Sequence, residues 1–278
     1  MTTARQPRFA TLVRPLRSVA RTLSNCLDRR NIQRTYRAKY GADFVFTIDP
    51  RDEMYRFVHD HTAHPLRSYF ASGEAMLSTL DDVLMETGRR YANVHSFLEF
   101  ASGYGRFTRH LIQRMERSKI TVADIDTGAV DFARQTFQVR GIYSVSTAET
   151  LTCYERYDVI FVASLFSHLS LTFWEPWLQR LYSLLLPGGL LIFSTHGAYA
   201  LTQLGSGIKK SLEEPAPGFL FTKSNETHGR LSTEYYGTAY VSEEYVRSTV
   251  SSRRLGEVVG FRPTELWKFQ DIYVVERR

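Results

Sequence analysis

From about residue 95 onward, short apolar runs alternate with amphipathic stretches, each pair filling roughly the 30 residues that a strand-helix-strand unit needs. This spacing predicts an α/β fold, a doubly wound, mostly parallel seven-stranded sheet of the Rossmann-like kind with helices on both faces. His95 to Phe100 reads as the first strand and Arg106 to Glu116 as a helix. Lys119 to Asp124 reads as the second strand, with Thr127 placed as the N-cap of a helix reaching Phe137. Gly141 to Val145 is a third strand. Val159-Ile160-Phe161-Val162-Ala163 is an uninterrupted apolar run, the mark of a central parallel strand covered on both faces. A Leu- and Trp-rich helix over 173–186 is expected to stop at Pro187, where Gly188-Gly189 turns the chain into a fifth strand over 190–195. A helix over 243–252 capped by Ser242 and strands around 258–267 and 271–275 close the pattern.

The segment before this pattern has a different character. Residues 1–40 hold nine Arg and one Lys against the single Asp28, so they carry +9 of a chain whose net charge is +6. Phe9, Leu12, Val13, Leu16, Val19, Ala20, Leu23 and Leu27 recur at steps of three and four, with Arg14, Arg17 and Arg21 off that stripe. A basic amphipathic helix follows, open to four readings: a helix packed with its Arg side outward, a peripheral contact with anionic lipid, a mitochondrial transit peptide, or a grip on nucleic acid. Residues 1–92 are expected to form a helical extension, and 93–278 the main domain. At 278 residues the chain can bury a full core. No apolar run approaches the 18 residues of a membrane-spanning helix. Cys26 and Cys153 are too few for a disulfide framework, which fits a reducing, cytoplasmic setting, or the mitochondrial matrix if the arm is an address.

In open α/β sheets, ligands sit beyond the carboxyl ends of the strands, near the point where strand order reverses. The first strand leaves through Glu99-Phe100-Ala101-Ser102-Gly103-Tyr104-Gly105, a turn of small residues that lets backbone approach a ligand. Nineteen residues after Gly105 comes Asp124, at the exit of the second strand, where a carboxylate can accept hydrogen bonds from both hydroxyls of a ribose. The alternative is a tight turn with no ligand. A dinucleotide site wants a third small residue after Gly103-x-Gly105, and Thr108 stands there instead.

These residues resemble the class I S-adenosylmethionine-dependent methyltransferases over roughly residues 96 to 276. Leu98 to Gly105 is similar to that family's acid-x-G-x-G-x-G motif, with Ala101 at its first glycine. The resemblance implies S-adenosylmethionine as cofactor, with Glu99, Ala101, Gly103 and Gly105 around it, Asp124 on the ribose and Ile125 against the adenine. Thr147-Ala148-Glu149-Thr150-Leu151 resembles the adenine-edge motif, which brings in Ala148 and Glu149. Tyr157 to Leu169 resembles the fourth strand and its loop, including Ala163, and Leu186-Pro187-Gly188-Gly189 the approach to the fifth. N-terminal helices in that family cover the cofactor's methionine end, which makes Tyr69 a candidate contact. A finer resemblance, through Phe193 to Gly197, Tyr235 to Tyr240 and Gln270 to Val275, is to bacterial members associated with glycosyltransferases. It implies a saccharide, glycolipid or related small-molecule acceptor.

Methyl transfer is an in-line displacement, so alignment carries most of the catalysis, and an alcohol acceptor also needs a general base. His196, after the fifth strand, and His168, in the loop after the fourth, are the candidates, the alternative for each being a ring bonded to backbone. His196 is preferred because the segment after it can wrap over the acceptor. Residues 197–241 are too long and aromatic for a plain connection and read as a lid. In it Lys209, Lys210, Glu213 and Glu214 suggest a short helix ended by Pro215, and Tyr235, Tyr236 and Tyr240 offer surfaces for a sugar ring, or ordinary loop packing. His59-x-His61-x-x-His64 lacks cysteine and a common helical face, so no metal site is expected. Two other functions compete: an RNA-modifying enzyme gripping phosphate with the basic arm, and a cofactor-binding module without turnover. Ala163-Ser164-Leu165-Phe166 stands where amino-methylating relatives carry Asn/Asp-Pro-Pro-aromatic, so nucleic acid is the less expected partner.

Overall fold

The computed structural model describes residues 28–205, 212–223 and 235–278. The amphipathic stripe of residues 9–27, Cys26, Lys209 and Lys210 lie outside the described residues. The chain divides into two compact units, one ending at Ala71 and one starting at Ser72.

The first unit contains helix α1 (residues 28–40), α2 (Glu53–His61) and the start of α3 (Pro65–Glu86). Ile32 and Tyr36 are buried on one side of α1, while Arg30, Arg34 and Arg37, at helical spacing, are exposed. Its core is aromatic: Tyr36 lies 5.1 Å from Phe44 and 5.5 Å from Phe70 between ring centroids. Asp52 caps α2 through the Tyr55 N–H.

The second unit starts earlier than the boundary near 92 that the sequence suggests, because the second half of α3 packs into it. A Cβ on Gly73 would stand 2.2 Å from the Arg106 carbonyl, and Met76, Leu77, Leu80, Val83 and Leu84 are all buried. Asp81 accepts from the Tyr91 hydroxyl and from Arg114.

Seven strands form the main sheet: β1 (Phe97–Phe100), β2 (Ile120–Asp124), β3 (Arg140–Tyr143), β4 (Tyr157–Val162), β5 (Leu185–Thr195), β9 (Glu257–Leu266) and β10 (Gln270–Glu276). Their order is β3-β2-β1-β4-β5-β10-β9. β1 to β5 run parallel and β10 antiparallel to both its neighbours, so the order reverses between β1 and β4. As the apolar run predicts, Val159, Ile160, Phe161 and Val162 are buried.

Local details differ from expectation for identifiable reasons. Only Thr108–Leu111 (α4) is regular helix in the stretch read as 106–116, because His110, Gln113 and Arg114 donate to carbonyls three residues back rather than four. The N-cap of α5 (Thr127–Phe137) is Asp126, whose carboxylate accepts from Gly128 N–H, not Thr127. Helix α6 (Leu171–Ser183) ends before Pro187, and Leu186 to Gly189 bulge within β5, shifting the register from Tyr157↔Leu185 to Val159↔Leu190. After β5 come the short α7 (Ala198–Thr202) and an antiparallel sheet of β6 (Glu213–Ala216), β7 (Phe219–Thr222) and β8 (Thr238–Val241). Glu213 and Glu214 therefore sit in a strand rather than a helix: β6 pairs with β7, whose Phe219 and Phe221 are buried and which is itself paired to β8, and this pairing overrides local helix preference. Helix α8 (Glu243–Ser252) is capped by Ser242, as read. Trp267 and Lys268, both left-handed at φ 56° and 58°, are the central residues of a turn closed by the Phe269 N–H on the Leu266 carbonyl, within the three-residue connection from β9 to β10. Trp267 is fixed there by its indole N–H on the Ser72 carbonyl (3.0 Å) and by the Arg106 guanidinium over its ring.

Trp174 joins the two sheets. It is fully buried, donates to the Phe166 carbonyl (3.1 Å), and its ring meets Phe193 and Phe219. Trp174→Ala is expected to cost about 3–5 kcal/mol in urea unfolding, with far smaller loss if the lid sheet is only loosely attached.

Candidate active site

Three residues in five take left-handed backbone at the exit of β1: Ala101 at φ 59°, Gly103 at 54° and Gly105 at 74°. An alanine there costs on the order of 1 kcal/mol. The two glycines serve different ends. A Cβ on Gly103 would meet nothing within 4 Å, so the space above it is open. A Cβ on Gly105 would lie 2.2 Å from the Phe137 ring, so the room at that position belongs to α5 and not to a ligand.

Gly103 N–H donates to Asp124 Oδ2 (2.7 Å) and Asp126 N–H to Asp124 Oδ1 (2.9 Å). The turn after β1 and the exit of β2 are thus tied through one carboxylate. Burial pushes the Asp124 carboxyl up to about 6, against the pull of these backbone bonds. Glu99 is buried behind it and takes the Thr108 hydroxyl at 2.6 Å. Desolvation, with the Asp124 charge nearby, raises Glu99 to about 8, so it is a neutral acid at pH 7. Ile125, next to Asp124, is 40% exposed, an aliphatic side chain left open to solvent.

Ala148 is buried and Glu149 exposed in a single 3-10 turn, where the Thr147 and Thr150 hydroxyls bond at 2.8 Å. Ala163 follows β4, ahead of Ser164 at φ 64°. Tyr69 is fully buried in the first unit, its hydroxyl on Asp52 (2.5 Å) and its ring edge-on to Tyr55 and Phe70. Among the described residues no group of three or more His, Cys, Asp or Glu is placed to hold a metal ion. His59, His61 and His64 bond separately to Asp60, the Phe57 carbonyl and Asp28.

The exits of β4 and β5 bring the two histidines together, with ring centroids 5.9 Å apart. His168 stacks on Tyr236 at 4.8 Å and 7°, and its Nδ1 lies 2.9 Å from the Gly237 carbonyl. His196 is 7% exposed, stacked on Tyr240 and edge-on to Phe269. Burial, with His168 alongside, lowers His196 to about 4. Strand β8 reaches this site through Val241 N–H on the His196 carbonyl. Tyr240 is buried and serves as wall rather than platform. Tyr235, half-buried, packs on Phe173 at 4.5 Å.

Gln270, buried at the head of β10, links the ends of three strands. Its amide meets Ser164, Ser194 and His196. In the sequence it stands out as a polar Gln270-Asp271 pair heading an apolar strand, in a stretch that shares the finer resemblance, but neither signal gives it this role.

Residues 98–191 match the model of a family described as a methyltransferase domain. The tRNA N(3)-methylcytidine methyltransferase of Schizosaccharomyces pombe is 28% identical over 141 residues, 47% of this chain; the chain spans 46% of that curated relative. A S-adenosylmethionine-dependent methyltransferase from Clostridium acetobutylicum superposes with a TM-score of 0.53 at 13% identity, over 73% of this chain and 91% of its own. An amino pentose methyltransferase from Micromonospora echinaspora, solved with S-adenosylmethionine, gives 0.52 at 11%, over 74% and 92%. The architecture is the Rossmann-like methyltransferase fold, and the stretch matched by the methyltransferase-domain model runs from β1 into β5.

Glu99 generates a stability test. Its acid is raised on folding, so the native chain keeps a proton that the unfolded chain sheds above the ordinary glutamate value of 4.5. Stability is then fully present at acid pH and declines by about 1.4 kcal/mol per pH unit on the way to about 8. Glu99→Gln removes that decline: its melting temperature should exceed the parent's at pH 8, with the gap closing toward pH 5. A constant gap would mean that Glu99 is ionised in the native state.

Proposed function

We propose that this chain, carrying a methyltransferase domain, is a S-adenosylmethionine-dependent methyltransferase that methylates an oxygen of a saccharide or saccharide-bearing small molecule. The observation that carries the reading is the cradle at the exits of β1 and β2: Asp124 fixed by two backbone N–H groups, open space above Gly103, and Ile125 exposed beside them. These residues fit an adenosine. Asp124 would accept from the ribose hydroxyls, Ile125 would lie on the adenine, Ala148 and Glu149 would line its edge, and the small residues Ala101 and Gly103 would admit the methionine portion. The bound cofactor supplies a methyl group already activated on a sulfonium.

The chain's own part is placement. In the sheet β1 adjoins β4, which adjoins β5, at roughly 5 Å per step, so an acceptor over the histidines stands within reach of the cradle. The aromatic walls Tyr235 and Tyr236 support a sugar ring as the acceptor, and Tyr240 closes the site behind His196. Neutral Glu99 keeps a second negative charge away from Asp124.

A second reading, a nucleic-acid acceptor, is favoured by two observations. The curated relative is named as a tRNA methyltransferase, which removes the ground for treating nucleic acid as the lesser partner, and Arg30, Arg34 and Arg37 are exposed on α1. Binding of total tRNA that weakens steeply with salt would select it.

Calorimetry with S-adenosylhomocysteine tests the cradle. Asp124→Ala should weaken binding about 10- to 100-fold, the worth of one or two hydrogen bonds to a charged group. Affinity of the parent should fall as pH drops below about 6, where Asp124 takes up a proton and loses acceptor capacity. Asp124→Asn should bind weakly without that pH dependence. Unchanged affinity in Asp124→Ala overturns the reading.

A further inference from the structure

Helix α1 carries its charge in one row. Arg30, Arg34 and Arg37 fall within about 60° of arc and span about 10 Å of the axis, on the side away from the buried Ile32 and Tyr36. All three are exposed, as are Arg29 and Lys39. Arg37 is held over the Phe46 ring at 5.7 Å. The helix has one acid, Asp28, and that carboxylate is taken by His64 Nδ1 at 2.6 Å. A row of cations with no acid interleaved raises the potential along its whole length and selects an anionic partner.

A nucleic acid and a phosphate-bearing bilayer both answer to such a row, and apolar surface separates them. Residues 1–27, ahead of α1, hold Arg5, Arg8, Arg14, Arg17 and Arg21 and no acid, and from Phe9 to Leu27 their apolar residues recur at steps of three and four. That pattern offers hydrocarbon surface, which an acyl layer can bury and a phosphate backbone cannot. Within the first unit, α2 leaves Met54 and Phe57 exposed at 40% and 55%, one turn apart. The contact of His64 with Asp28 sets the residues just after α2 against the start of α1. The Phe57 ring is already stacked by His61 at 4.4 Å, and methionine has no π-face, so this pair suits hydrocarbon better than base stacking.

We infer that α1, together with the chain ahead of it, is a docking surface for an anionic phospholipid bilayer. Arg30, Arg34 and Arg37 donate charge-assisted hydrogen bonds to lipid phosphates, and the apolar residues between Phe9 and Leu27 supply the area that leaves water at the acyl boundary. The docking does not depend on the methyl-transfer reading. Its consequence does: an enzyme held at a bilayer meets saccharides carried on lipid, which narrows the acceptor class proposed above.

The test is co-sedimentation of the full chain with vesicles of phosphatidylcholine alone and of phosphatidylcholine mixed with phosphatidylglycerol, alongside a binding measurement with total tRNA. The chain should bind the mixed vesicles only, and more weakly as salt rises. Arg30→Gln, Arg34→Gln and Arg37→Gln should each lower that binding about fivefold, and the triple variant about 100-fold, with the melting temperature unchanged. Leu16→Asn with Leu23→Asn should also weaken it, through lost burial. Absence of binding to the mixed vesicles overturns the inference, and tRNA binding lost in the triple variant would then select nucleic acid. Equal binding to both kinds of vesicle overturns it as well, and so does undiminished binding by the triple or by the leucine variant. A chain that docks on vesicles but takes up no S-adenosylhomocysteine in calorimetry sinks the methyl-transfer reading and leaves the docking standing.

Discussion

One carboxylate holds the exits of β1 and β2 together. Asp124 receives the N–H of Gly103 from the turn after β1 and the N–H of Asp126 from the cap of α5. The left-handed residues of the turn are thereby set in place by a partner on the next strand, which is the kind of preorganisation that keeps ordering cost out of binding. Burial and backbone bonding act on Asp124 in opposite directions, and the balance leaves it ionised near neutrality. Glu99, with far less backbone support and full burial, goes the other way and keeps its proton. Two acids close to one another carry a single negative charge, as desolvation demands.

The opposite half of the sheet follows another electrostatic rule. Around the exits of β4 and β5 and the head of β10, serine hydroxyls, the Gln270 amide and the His196 imidazole bond to each other, and beside them the buried Asp271 accepts from the Thr264 N–H, its carboxyl raised by burial. Neutral hydrogen-bonded networks are tolerated in a core where isolated charges are not. The division suits the chemistry proposed: a fixed anion where a sugar edge is to be gripped, and a network of neutral hydrogen-bonding groups on the side of the acceptor.

Much of this was legible in the sequence because it depends on local period. The strand-helix alternation, the glycine turn, Asp124 and the position of both histidines at strand exits follow from patterns a few residues long. The rest depends on distant partners. The stretch 106–116 has a helical pattern, yet its bonds reach back three residues and only Thr108–Leu111 is regular helix. Pro187 looked like a helix stop and is instead part of a bulge inside β5. Glu213 and Glu214 have helical preferences that pairing of β6 to β7 overrides. Gln270 acquires its role because β10 inserts antiparallel between β5 and β9, a placement no short window encodes.

The β9–β10 turn has a consequence for how stability could be engineered. An Asn-Gly pair suits two left-handed positions far better than Trp267-Lys268, and the exchange would relieve backbone strain. It would also delete the indole that clasps Ser72 and carries Arg106 on its face. Since Arg106 directly follows the glycine turn, a more thermostable hairpin would be obtained by slackening the support of the turn proposed to hold the cofactor, so on that reading robustness and turnover are set against each other there.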